Sequence, residues 1–114
     1  MNPPTFTETE DSIYDLLEWI HRRPGMWIAQ PELVRLYSFV GGYEAALGRQ
    51  RLALLSVAPE FRGFHDWIAQ RLGYGESTSG WYNMIRGRCS SEREAFDRFY
   101  ELLAEFRGSA GAVA

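Results

Sequence analysis

Apolar side chains recur every three or four residues along most of this chain, and no stretch alternates strictly between apolar and polar residues. Because a period of about 3.6 residues places such side chains on one face of a helix, the pattern predicts an all-α protein. Helices that each carry one apolar stripe bury it against one another. The predicted architecture is therefore a compact single-domain bundle of about five helices.

The first and the last helix have the clearest start signals. Ser12 with Asp15, and Ser91 with Glu94, have the spacing of a capping box, in which two side chains satisfy free backbone N–H groups. Gly108 follows the last apolar position and predicts the end of the last helix. The five predicted helices cover residues 12–23, 31–48, 59–72, 80–86 and 91–108.

The other segments are less regular. Residues 1–10 predict a flexible N-terminal arm and residues 109–114 a frayed C-terminus, within a single domain that spans 1–114. Residues 49–58 fit either a longer second helix or a short extended piece. Inside that helix, the Gly41-Gly42 pair predicts a close contact with a neighbouring helix or a bend, since each glycine costs about 1 kcal/mol relative to alanine.

The charge balance excludes several classes of protein. Fifteen acidic and twelve basic residues give a net charge of −3, which argues against direct nucleic-acid binding. All the basic residues are arginine, so lysine chemistry is excluded. No stretch approaches the ~20 apolar residues of a membrane span, and the N-terminus lacks the basic start and apolar run of a signal peptide. We therefore expect a cytoplasmic protein without a membrane partner.

Few residues are candidates for chemistry. His21, His65 and Cys89 lie far apart in the sequence, and no His or Cys spacing matches a metal site. Cys89 stands beside an arginine and ahead of a helix N-terminus, two features that predict a lowered thiol pKa. A small helical enzyme or ligand-binding domain with a site around these three residues stays open as an alternative. The favoured expectation is instead that the chain has no catalytic residue, no metal site and no cofactor.

The segment that follows the first helix predicts a structural turn made by Arg23, Pro24, Gly25 and Met26. Pro24 and Gly25 end the helix, and Gly25 is expected to adopt a conformation that penalises a Cβ. Met26 and Trp27 are expected to enter the core. Arg23 is expected to bind a carboxylate or a carbonyl group.

Aromatic residues make up 15% of the chain, more than the core stripes require. Tyr14, Trp27, Tyr74 and Tyr82 fit those stripes least well. Since Trp, Tyr and Arg dominate binding hot spots, the surplus predicts a protein interface. The predicted partner-binding residues are Trp27 and Gln30 in the turn, with Tyr74, Glu76 and Tyr82 in and beside the later loop.

Motifs from Arg23 to Phe106 resemble a family of small bacterial proteins. The family carries R-P-G-M-Y-[IL]-G, followed by a Pro- or Ser-led helix that ends in a G-Y pair. A segment like F-x-x-F-x-x-W-[IV], an S-x-x-W turn and an acidic aromatic last helix come after it, and each has a counterpart here. The matching segments are 23–28, 31–43, 61–68, 79–81 and 94–106. Trp27 replaces the usual Tyr, and Ala29 replaces the usual Gly.

Some proteins of this family are regarded as immunity proteins encoded beside polymorphic toxins. The resemblance implies a non-catalytic protein that neutralises a cognate toxin by covering the toxin's active site. The partner it implies is the toxin domain itself.

Overall fold

The computed structural model describes residues 12–47, 59–75 and 80–113, and the regular structure in these ranges is entirely helical. The prediction of an all-α single-domain bundle is thereby confirmed. The predicted arm at 1–10, the uncertain segment 49–58 and Glu76 lie outside the described residues. The helices are α1 (Ile13–Arg22), α2 (Pro24–Trp27), α3 (Leu33–Leu47), α4 (Phe64–Arg71), α5 (Trp81–Arg86) and α6 (Glu92–Val113).

Helix α1 begins as the sequence predicts. The Ser12 hydroxyl accepts a hydrogen bond from the Asp15 backbone N–H, and the Asp15 carboxylate accepts one from the Ser12 N–H at 2.9 Å. The predicted apolar stripe is fully buried. Its members are Ile13, Leu16, Leu17 and Ile20.

Helix α3 begins at Leu33 rather than at Pro31 and runs without interruption through Gly41 and Gly42. Both glycines are exposed, and a Cβ added to either would meet no atom within 4 Å. The predicted close contact with a neighbouring helix is therefore wrong. The two glycines lie on the outer side of α3, while Leu33, Leu36 and Val40 form its buried stripe.

Helix α4 follows a 3-10 turn at Phe61–Gly63 and ends in a Schellman motif. Gly73 has φ of 79°, a left-handed conformation that glycine adopts without a Cβ penalty. Its N–H donates to the Gln70 carbonyl at 3.2 Å, and the Tyr74 N–H donates to the Ala69 carbonyl at 2.8 Å. These bonds fix the direction of the chain that leads toward α5.

Helix α6 corrects two expectations. The Glu94 N–H donates to the Ser91 hydroxyl at 3.1 Å, but the Glu94 carboxylate accepts from Ser90 rather than completing the predicted box. The end predicted at Gly108 is wrong, since the helix continues to Val113. Gly108 has no positive φ, and a glycine in a helical conformation weakens a helix without ending it.

Aromatic rings fill the centre of the bundle. Phe64 lies 5.4 Å, centroid to centroid, from each of Phe61, Phe99 and Phe106, and 5.8 Å from Trp81. The rings thus join α4, α5 and α6 in one core.

Tyr14 is one of these buried rings, contrary to expectation. It is only 3% exposed, lies edge-on to Phe61, and its hydroxyl donates to the Pro59 carbonyl. The guanidinium of Arg107 lies over the Tyr14 ring, 4.1 Å from the centroid. Burial raises the pKa of Tyr14 to about 12, although the charge of Arg107 acts in the opposite direction.

Candidate protein interface

The segment after α1 forms a short helix instead of a simple turn. Pro24 takes the first helical position, where its missing N–H costs nothing, and the Ile28 N–H donates to the Pro24 carbonyl at 2.8 Å. Trp27 is half-buried, with its ring 6.4 Å from Trp19 and 6.2 Å from Phe39. Helix α2 is thereby held against α1 on one side and α3 on the other.

The left-handed residue of this segment is Ala29, with φ of 72°. The Gln30 N–H donates to the Ile28 carbonyl at 2.8 Å, which closes a three-residue turn around Ala29. A turn of this kind with positive φ is rare and strained for a residue that has a Cβ. The backbone strain of the segment is therefore concentrated at Ala29.

Two expectations about this segment are wrong. Gly25 has no positive φ, and a Cβ there would meet no atom within 4 Å, because Gly25 lies inside α2. Met26 does not enter the core but is 60% exposed. Arg23 is exposed and forms no ion pair with any described residue, and its expected bond to a carboxylate or a carbonyl group stays a prediction.

An open groove lies between α2 and α3. Its volume is about 500 Å³, and its lining is formed by Trp27, Ile28, Val34, Arg35, Ser38 and Phe39. Large apolar side chains are exposed at four described positions, and three of these, Met26, Val34 and Tyr37, belong to α2 and α3.

Glu92 fixes the α3 wall of this groove. Its carboxylate accepts hydrogen bonds from the Val34 N–H at 2.9 Å, the Tyr82 hydroxyl at 2.5 Å and the Arg86 Nε at 3.1 Å. Desolvation alone would raise the pKa of Glu92, but these three donors and the charge of Arg86 together lower it. One carboxylate therefore ties the start of α3 to α5 and α6.

The remaining predicted interface residues have different surroundings. Gln30 is exposed next to Ala29. Tyr74 is 38% exposed, with the Arg88 guanidinium 4.9 Å from its ring centroid and its hydroxyl donating to the Met84 carbonyl. Tyr82 is half-buried, and its hydroxyl is bound to Glu92. Trp27 is the predicted residue that lines the groove.

The three residues proposed for chemistry lie on α1, on α4 and ahead of α6. His21 stacks on Tyr100 at 3.9 Å between centroids, and His65 is half-buried on α4. The expected lowering of the Cys89 thiol pKa is wrong. Burial, followed by the hydrogen bond and charge of Glu94, raises that pKa and outweighs the nearby arginines. None of His21, His65 and Cys89 lines the groove.

Metal sites and membrane spans can be assessed for the described residues alone. Their His, Cys, Asp and Glu side chains form no group of three that could hold a metal ion. Among their helices, none is both long enough and apolar enough to cross a membrane.

Comparison of the chain with protein-family models, with curated proteins and with solved structures finds no match in any of the three. A proposal about function therefore depends on the geometry of the groove and its surroundings.

Sequence reasoning missed the α3 half of the groove. Val34, Arg35 and Phe39 lie too close to the buried residues Leu33 and Leu36 to stand out as a separate stripe. One available signal was the apolar content of this helix, because Val34 and Phe39 lie outside the stripe that the core needs.

Proposed function

We propose that this chain is a non-catalytic protein-binding domain, and specifically a bacterial immunity protein that neutralises a cognate toxin by covering its active site. The observation that carries the proposal is the open groove between α2 and α3, whose lining includes the exposed side chain of Val34. Met26 and Tyr37 are further exposed apolar side chains on the same two helices. Exposed apolar surface that is concentrated in one patch marks a binding site more often than scattered exposure does.

The chemistry of the groove suits a protein partner. Trp27 and Phe39 offer rigid aromatic walls, and Met26 offers a flexible apolar side chain that adapts to the surface it meets. Because the groove is open to solvent, a partner side chain that lies in it would be removed from water once the partner's surface covers the groove. Such desolvated aromatic pockets account for most of the affinity in many protein complexes.

The resemblance to immunity-type proteins supports the more specific reading. Its most distinctive motif, Arg23 to Ile28, supplies α2 and with it one wall of the groove. The wider contact surface in this proposal includes Gln30, Tyr74, Glu76 and Tyr82. The setting is the cytoplasm of a bacterial cell, where an immunity protein meets the toxin.

The proposal is tested by co-expression in bacteria with the toxic product of a neighbouring gene. Wild type should restore growth, and Met26→Asp should lose protection because it places a charge beside the groove. The matched control is Ala104→Asp, which places the same charge on an exposed alanine of α6 and should protect fully. Circular dichroism establishes that each variant folds.

Two results would contradict the proposal at different levels. Full protection by Met26→Asp, with a folded protein, would show that the groove is not the contact surface. Failure of the wild type to bind or neutralise any neighbouring product would remove the immunity function itself.

A further inference from the structure

The charged side chain in the groove lining is a cation that is paired with one neighbouring glutamate. The net charge is −3, yet Arg35 is the charged residue in the groove lining. Its Nε donates to Glu32 at 2.5 Å, and its side chain is 48% exposed. A guanidinium has five N–H donors in a planar fork, so the terminal nitrogens of Arg35 remain for a second carboxylate.

A second cation, Arg23, lies outside the groove lining, at the N-terminus of α2. Arg23 precedes Pro24, about 6 Å of helix rise from Trp27, and it forms no ion pair with any described residue. The acidic helix α6, by contrast, does not carry a set of carboxylates that lack an arginine partner. Its side chains Asp97, Glu101 and Glu105 are paired with Arg93, Arg98 and Arg71.

We infer that the groove binds a segment of the protein partner in which an apolar side chain is flanked by carboxylates. The inference rests on the proposed function and adds the chemistry of the contact. The apolar side chain would fill the space between Trp27, Val34 and Phe39, and a carboxylate would pair with the free edge of Arg35. A second carboxylate would meet Arg23.

The two parts of such a segment have different roles. Burial of the apolar side chain supplies affinity, whereas exposed ion pairs contribute little net binding energy but select partners by charge and speed the encounter. If net charge alone selected the partner, the net negative charge of this chain would favour a cationic partner. The residues around the groove instead favour an acidic contact segment.

The test is a selection from a random peptide library displayed on phage, with the full chain as the immobilised target. The sequences that are enriched should share an apolar residue with Asp or Glu close on either side. A synthetic peptide of that sequence should lose affinity by about tenfold with Arg35→Glu, which replaces one charge-assisted contact by repulsion.

The matched control is Arg93→Glu. It makes the same change in net charge and also breaks one exposed ion pair, but it lies on α6. Peptide affinity should be unchanged by Arg93→Glu. Arg35→Gln, which removes the charge without adding another, should give an intermediate loss.

Several results would overturn the inference. The first is a selection that enriches basic or uncharged peptides, and the second is a selection that enriches no peptide at all. The third is an equal loss of peptide affinity with Arg35→Glu and with Arg93→Glu. A dimer in sedimentation velocity that Met26→Asp dissociates would make a second copy of this chain the occupant. Because the selection uses no toxin, its failure leaves the co-expression result intact, and the two claims fail separately.

Discussion

The strained turn at Ala29 gives a prediction whose sign is unusual: replacement of alanine by glycine should stabilise the protein. A left-handed conformation costs a residue with a Cβ about 1–2 kcal/mol. Glycine avoids this cost but loses about 0.4–1 kcal/mol through the greater entropy of its unfolded chain. Ala29 is exposed, so the lost methyl group forfeits little burial. Ala29→Gly should therefore raise the free energy of unfolding by about 0.5–1 kcal/mol.

The assay is thermal and urea unfolding followed by circular dichroism. For a domain of this size, the expected gain corresponds to a rise in Tm of about 2–6 °C. The matched control is Ala104→Gly, the same atomic change at an exposed position inside α6, which should lose about 1 kcal/mol. A fall in Tm for Ala29→Gly similar to that of the control would refute a left-handed Ala29.

Three other predictions concern stability. Gly73→Ala should lower the free energy of unfolding by about 1 kcal/mol, because a Cβ is penalised at its φ of 79°. An unchanged midpoint in urea titrations would contradict the Schellman motif at the end of α4. Gly41→Ala should raise Tm by several degrees, about 1 kcal/mol, because the position is helical, exposed and without close neighbours. Glu92→Gln should cost about 1 kcal/mol at pH 7, where the native carboxylate is ionised and charge-assisted. Since the folded-state pKa of Glu92 is lowered, its contribution is present above the unfolded-state pKa of about 4.3 and is lost as pH falls through the folded-state value. The wild-type and Glu92→Gln stabilities should therefore converge in acid unfolding series; a constant difference at all pH values would argue against the carboxylate as the cause.

The sequence predicts the buried surface of this fold well, because helical periodicity and core packing select the same residues. The stripe from Ile13 to Ile20 and that of α6 both lie where the period places them. End signals are less reliable. A glycine such as Gly108 ends a helix only if the chain adopts a left-handed conformation there, and that conformation depends on the contacts made by the next residues.

The candidate site was only partly predictable for the same reason. The motif around Pro24 and Gly25 indicates a change in chain direction, but it does not show which residue takes the positive φ. That residue is Ala29. The exposure of Met26 and the position of Arg35 beside the groove depend on how α2 and α3 pack together, which local sequence does not determine.

The central claim is that the chain acts by binding one protein partner and not by turnover. The most direct measurement is a titration of purified toxin activity with increasing amounts of this chain, at concentrations well above the dissociation constant. Stoichiometric binding predicts a linear loss of activity that ends at one molar equivalent, and little inhibition by Met26→Asp at the same ratio. Complete inactivation by a small fraction of an equivalent would show catalysis and contradict the account, as would the absence of any inhibition.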